Sequence, residues 1–215
     1  MLTLYYTLRS PFARKPRILL AELGLEHRAE ELPIGTFDGR LFPAEFEETN
    51  PTLRVPALRD GELLIYESNV ILEYLLRTYP IGAAPSSDPP LATAMTRPER
   101  EWEDRMVLAT IETYLDSAVN LAVLTRFGVE PEKVPYLRRE QTRCQSCLDW
   151  LEGQATPEGF APGVFSIADL NLVCALGWTE QRQVLPWRGR PSLEAILGHY
   201  AERPSVAQNP LVYPS

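Results

Sequence analysis

The stretch Leu2-Thr3-Leu4-Tyr5-Tyr6-Thr7-Leu8-Arg9-Ser10-Pro11-Phe12-Ala13-Arg14-Lys15-Pro16-Arg17-Ile18-Leu19-Leu20-Ala21-Glu22-Leu23-Gly24 changes its hydrophobic period halfway along. Leu2, Leu4 and Tyr6 alternate with Thr3 and Tyr5, the period-two signature of a strand, whereas Pro11 to Leu23 carries an apolar face at helical spacing. Gly24 is a natural C-cap, Pro11 suits the first helical position, and Ser10 suits the N-cap before it. Pro16 complicates the helix. It cannot donate to the carbonyl of Phe12, and an interior proline costs about 3 kcal/mol unless the helix bends. Either the first turn is irregular or the regular helix starts nearer Lys15.

Working outward, Glu26 to Leu32 reads as a second short strand, and Pro43 to Thr49 as one or two helical turns closed by Asn50-Pro51. Val55 to Leu58 and Glu62 to Tyr66 flank Asp60-Gly61, a strong hairpin signal. Glu67 to Tyr79 follows as a helix with Val70, Ile71, Tyr74 and Leu75 on one side. The order is β-α-β-α-β-β-α over residues 1–79. Residues 80–96 are proline-punctuated and almost without periodicity, which suits an extended connector. Residues 97–215 look helical throughout. One helix runs through Trp102, Met106, Val107, Ile111, Tyr114, Leu115, Ala118 and Ala122, and a second through Leu137, Cys144, Leu148 and Leu151. A third begins at Ser166 and a fourth spans Ser192 to Ala201. Mixed elements followed by a run of helices imply two domains, α/β and then all-α.

Composition narrows the function classes. The 215 residues hold 45% hydrophobic and 23% charged side chains, as in an ordinary globular protein. Acidic residues outnumber basic ones by 29 to 21 for a net charge of −8, with no basic block for a phosphate backbone, so no nucleic-acid partner is expected. No apolar run reads as approaching the roughly 20 residues that span a bilayer. Three cysteines, Cys144, Cys147 and Cys174, make no disulfide framework, and a cytoplasmic location is the expectation.

Several motifs could carry chemistry or only structure. Ser166-Ile167-Ala168-Asp169 reads as a capping box, with Phe165 and Leu170 as its hydrophobic staple, which is a folding device. At Ser10 the start of a helix favours an anion, although a plain cap explains the serine as well. Glu67 and Ser68 also open a helix, where an acid and a hydroxyl are favoured on capping grounds alone. On residue statistics the Val55–Pro56 bond is expected to be trans. Cys144 and Cys147 form a C-x-x-C mid-helix at core spacing, which points to packing. With only two histidines, no histidine metal cluster is expected.

Taken together, Ser10-Pro11-Phe12-Ala13-Arg14-Lys15, Asn50-Pro51 with Arg54-Val55-Pro56, Glu67-Ser68 and the Ser166–Asp169 box resemble the glutathione S-transferase family over nearly the whole chain. The resemblance implies a thioredoxin-like N-terminal domain, an all-helical C-terminal domain, glutathione as co-substrate, no metal and a homodimer. It further implies that Pro56 is cis and turns the Val55 backbone towards the cysteinyl part of glutathione. Glu67 and Ser68 would hold the γ-glutamyl end, Phe12 would also bind glutathione, and Arg40 would reach the glycyl carboxylate. Ser10 resembles the hydroxyl that stabilises the thiolate in serine-type members, and Tyr6 is the runner-up. A thiol of pKa near 8.5 is mostly protonated at neutral pH, and one hydroxyl donor beside a helix end favours its anion. Where a redox enzyme of this fold carries C-x-x-C, Ser10 to Ala13 reads S-x-x-A, so disulfide exchange is excluded there. For the electrophile, the resemblance points to Trp102, Arg105 and Met106, although Arg105 can equally pair with Glu101 one turn earlier. The expected activity is glutathione transfer of the EC 2.5.1.18 type. A glutathione-dependent isomerase or lyase of a small acid, and a non-catalytic binding module, are the alternatives.

Overall fold

The computed structural model describes residues 2–33, 50–79 and 88–213. It divides into two compact units, Met1–Ser87 with Arg203–Ser215, and Asp88–Glu202. Arg203–Ser215 thus groups with the first unit, whereas the sequence expectation places 97–215 in the helical domain.

In the first unit, β1 (Leu2–Tyr6) buries Leu2, Leu4 and Tyr6 on one face, as its alternation requires. The α1 helix (Pro11–Glu22) is capped by Ser10, whose Oγ accepts from the Ala13 N–H at 3.2 Å. The helix starts at Pro11 and continues through Pro16, so neither an irregular first turn nor a late start is realised. Pro16 forgoes one backbone bond, and its own burial offsets the loss. A 3-10 turn at Glu26–Arg28 occupies the start of the expected second strand, and β2 runs only from Ala29 to Pro33. The expected turns at Pro43–Thr49 lie outside the described residues.

Strands β3 (Ala57–Asp60) and β4 (Leu63–Tyr66) form the hairpin. Asp60 pairs with Leu63, so the two-residue loop is Gly61-Glu62, one position later than expected, with Gly61 at φ +58°. The sheet order is β2-β1-β3-β4, with β1 parallel to β2 and antiparallel to β3. The α2 helix (Ser68–Thr78) buries Ile71, Leu72, Leu75 and Leu76 and packs on α1. Val70 and Tyr74, expected on that stripe, depart from it: Val70 is 54% exposed, and Tyr74 donates its hydroxyl to Asp60 Oδ2 at 2.8 Å. The buried face is displaced from the expected one, with Leu72 and Leu76 in place of Val70 and Tyr74, which are apolar by type.

The C-terminal segment is stapled to this unit. Glu22 and Arg203 form a buried two-point pair (2.6 and 2.7 Å), joined by the Ser205 hydroxyl. Arg14 donates to the carbonyls of Asn209 and Val206, Val212 N–H to Leu8, and the Tyr213 hydroxyl to Arg9.

The second unit comprises α3 (Glu101–Arg126), α4 (Pro135–Gln154), α5 (Ile167–Arg182) and α6 (Pro191–Ala201). Helix α3 packs on α4 and α5, and α5 on α6. Together with the 3-10 turn before it, α3 is long and apolar enough by composition to cross a membrane, contrary to the sequence reading. Here it packs within the unit, with Ile111, Tyr114, Leu115 and Ala118 fully buried. Tyr114 donates to Thr179 Oγ1 at 2.8 Å, and burial raises its pKa. Leu91, in the expected connector, bridges Phe165 and is buried. Cys144 and Cys147 are buried in α4, where burial pushes the Cys144 thiol up to about 12 and raises Cys147 as well.

The expected capping box forms at the start of α5. Asp169 accepts from the Ser166 N–H (3.0 Å), the Ser166 hydroxyl (2.6 Å) and the Phe160 N–H (3.0 Å). Phe165 and Leu170 are both buried beside it. A Cβ at Gly159 would stand 2.9 Å from the Asp169 carboxylate, so the side chain closes over bare backbone. Burial raises the Asp169 pKa to about 6 despite three donors.

Candidate functional site

Strand register brings three loop ends together. Tyr5 pairs with Ala57, and Ala57 with Tyr66. The exit of β1, the entry to β3 and the exit of β4 therefore lie at one end of the sheet. Ser10, Pro56 and Ser68 each sit within five residues of those three positions.

At the β1 exit, Ser10 N–H donates to the Thr7 carbonyl at 3.1 Å, closing the turn that places the α1 N-terminus. Pro11 has no N–H, the Ala13 N–H is taken by Ser10 Oγ, and the Arg14 N–H by the Ser10 carbonyl. Among the described residues, this leaves Phe12 N–H as the one first-turn donor without a partner. Because Ser10 Oγ accepts from Ala13, its own proton remains available to an outside acceptor. Tyr6 is buried in the core at 8% exposure, with the Arg17 guanidinium 5.0 Å above its ring.

At the β3 entry, Asn50 is fully buried and shapes the approach. Its Nδ2 donates to the Arg54 carbonyl (2.9 Å), while its Oδ1 accepts from the Thr52 N–H (3.1 Å) and hydroxyl (2.7 Å). Leu53 takes φ +49° in this turn, and the Val55–Pro56 bond is cis, not the trans form expected from statistics. The ladder begins only at Ala57, and among the described residues the Val55 backbone N–H and C=O have no partner. These groups are placed to pair with an extended peptide.

At the β4 exit, Glu67 is exposed and adopts φ +71°, ψ 126°, a sparsely populated conformation for a non-glycine residue. That bend turns the chain sharply into α2. Glu67 makes no side-chain cap to α2, and the positive end of that helix favours an anion. Ser68 is 2% exposed, and its Oγ accepts from Lys15 Nζ at 3.3 Å. Lys15 is fully buried, with Nζ 5.2 Å from the centroid of the half-buried Phe12 ring. The sequence reading quoted Lys15 without giving it a role. The signal available was a lysine three residues after Phe12, on the same helical face.

Arg40 lies outside the described residues. Trp102 and Met106, on α3 of the second unit, are 72% and 52% exposed, so they are not core residues despite their helical spacing. Arg105 pairs with Glu101 at 2.9 Å.

Family models for the glutathione S-transferase N-terminal domain and C-terminal domain match residues 9–78 and 135–202. They show that the chain belongs to the glutathione S-transferase family. Among its relatives, glutathione S-transferase Z2 of Arabidopsis thaliana is 37% identical over 95% of this chain and 88% of its own length. Maleylacetoacetate isomerase of Rattus norvegicus is 30% identical over 84% of this chain and 79% of its own. A glutathione transferase family member from Pseudomonas fluorescens Pf-5, solved with bound glutathione, superposes with a TM-score of 0.82 at 25% identity, covering 99% of this chain and 100% of that one.

Proposed function

We propose that the chain is a glutathione-dependent enzyme that activates the glutathione thiol beside Ser10 and directs it at a small electrophile. The observation that carries this reading is the convergence of three groups at one sheet end: the Val55 backbone, which has no partner among the described residues, the start of α2 with Ser68, and the Ser10 hydroxyl. A tripeptide with a peptide middle, an anionic head and a thiol fits those groups in that order. Val55 pairs with the peptide, and Ser68 with the α2 N-terminus holds the γ-glutamyl carboxylate. Glu67 is exposed where a ligand ammonium would lie. Bound glutathione supplies a nucleophilic sulfur. The Ser10 hydroxyl donates to that sulfur and favours its anion, while the burial of Tyr6 against Arg17 argues against the runner-up. Phe12 and Arg40 complete this proposed site.

Trp102, Arg105 and Met106 carry the co-substrate end of the proposal: two exposed apolar side chains flank a guanidinium suited to an acid. A second reading is isomerisation of a small unsaturated acid with glutathione regenerated, which the likeness to a maleylacetoacetate isomerase favours. A homodimer and a cytoplasmic location, supported by family membership and three unbridged thiols, belong to the same proposal. Titration calorimetry with glutathione tests the first claim, and absence of binding overturns it. Conjugation of a model aryl halide, assayed beside glutathione-dependent cis–trans conversion of unsaturated diacids, distinguishes transferase from isomerase. Binding without either turnover identifies a binding module.

A further inference from the structure

We propose that Lys15 is a specificity-determining residue that makes the site select peptides bearing the γ-glutamyl α-carboxylate. This inference rests on the glutathione reading above. Helix α1 places Phe12 and Lys15 on one face, and that face meets the first turn of α2, where Lys15 Nζ donates to Ser68 Oγ at 3.3 Å. An ammonium has donors and no acceptor, so Ser68 can only accept from it. The polarity of this bond is forced, and it leaves the Ser68 proton to point at a ligand acceptor. Ser68 thereby becomes a donor suited to a carboxylate, at the start of a helix whose positive end also favours negative charge.

The second contribution is charge. A carboxylate hydrogen-bonded to Ser68 at about 2.7 Å lies no farther than about 6 Å from Nζ. The ammonium is fully buried behind the hydroxyl, out of reach of water and salt, so little screens its attraction for that carboxylate. Lys15 Nζ bonds Ser68, at the carboxylate end of the proposed site. Its effect falls on binding of one carboxylate and not on thiol activation, which separates it from Ser10.

The test compares glutathione with its γ-aminobutyryl analogue, which lacks only that carboxylate. Wild type is expected to bind glutathione at least tenfold more tightly, about 1.4 kcal/mol per tenfold. Lys15→Met is expected to lose most of that preference through weaker glutathione binding, with the analogue's affinity and the bound thiol pKa unchanged. KM for glutathione rises while kcat at saturation holds. Lys15→Gln keeps a donor without the charge and serves if the methionine variant fails to fold; it is expected to lose the preference too. A folded Lys15→Met or Lys15→Gln that still prefers glutathione as wild type does overturns the proposal. So does a variant that weakens both ligands equally, since that marks a purely structural lysine. A wild type that binds neither ligand overturns the glutathione reading itself, a result distinct from failure of the lysine's role.

Discussion

Substituting Ser10 by alanine removes two separable interactions, and their sizes can be worked from the geometry. The first is the α1 cap, a 3.2 Å bond from Ala13 N–H to Ser10 Oγ. Loss of such a cap costs about 1 kcal/mol of stability. The second is the hydroxyl donor for the glutathione sulfur. A hydrogen bond to a charged group contributes about 1.5–3 kcal/mol, which at 1.36 kcal/mol per unit raises the bound thiol pKa by about one to two units. Ser10→Ala should therefore lower turnover about 10- to 100-fold at pH values below both thiol pKa values. The two rate profiles converge once the thiol ionises unaided at high pH. Affinity for glutathione changes little, because the γ-glutamyl and cysteinyl contacts remain. Ser10→Asp separates the two effects: a carboxylate caps the helix as well as serine does, yet it repels a thiolate. The assay is ultraviolet titration of thiolate absorbance in the binary complex, alongside thermal unfolding. An unchanged thiol pKa in a folded Ser10→Ala refutes the assignment, and Tyr6→Phe then becomes the variant to examine.

Three further outcomes follow from the buried groups. The folded-state pKa of Asp169, about 6, lies above its ordinary 3.8, so the stability linked to this group is present below about pH 4 and lost as pH rises through 6. The difference in unfolding free energy between wild type and Asp169→Asn should fall by about 3 kcal/mol across that window, measured by denaturant titration; a flat difference would show that the carboxyl is not perturbed. Arg203→Met leaves the buried Glu22 carboxylate uncompensated and should cost about 3–5 kcal/mol, and a loss below about 1 kcal/mol would mean that the C-terminal staple is not held by this pair. All three thiols should resist Ellman's reagent in the native protein and react after unfolding, because each is buried and both α4 thiols are raised in pKa; rapid native labelling would contradict the packing of α4.

Local interactions account for what could be read without coordinates. Alternation in Leu2 to Tyr6, the Ser10-Pro11 corner and the Ser166–Asp169 box each involve residues within four positions of one another, so the sequence itself displays the partners. The same holds for Arg105 with Glu101. Where a rule depended on side-chain type alone it slipped: Val70 and Tyr74 read as part of the apolar face, yet burial depends on what packs opposite. Pro16 shows the converse, a local cost accepted because the residue is buried within α1.

What only the tertiary structure decided is which distant segments meet. Register between β1, β3 and β4 sets Ser10, Pro56 and Ser68 at one sheet end, and α1 against α2 places a buried lysine behind a serine 53 residues later. The C-terminal residues return to Glu22, Arg14 and Leu8, across sequence separations of 181 to 204 residues. No periodicity or short motif encodes such pairings, because they arise from the shared burial and hydrogen-bond demands of chain segments that approach one another only after folding.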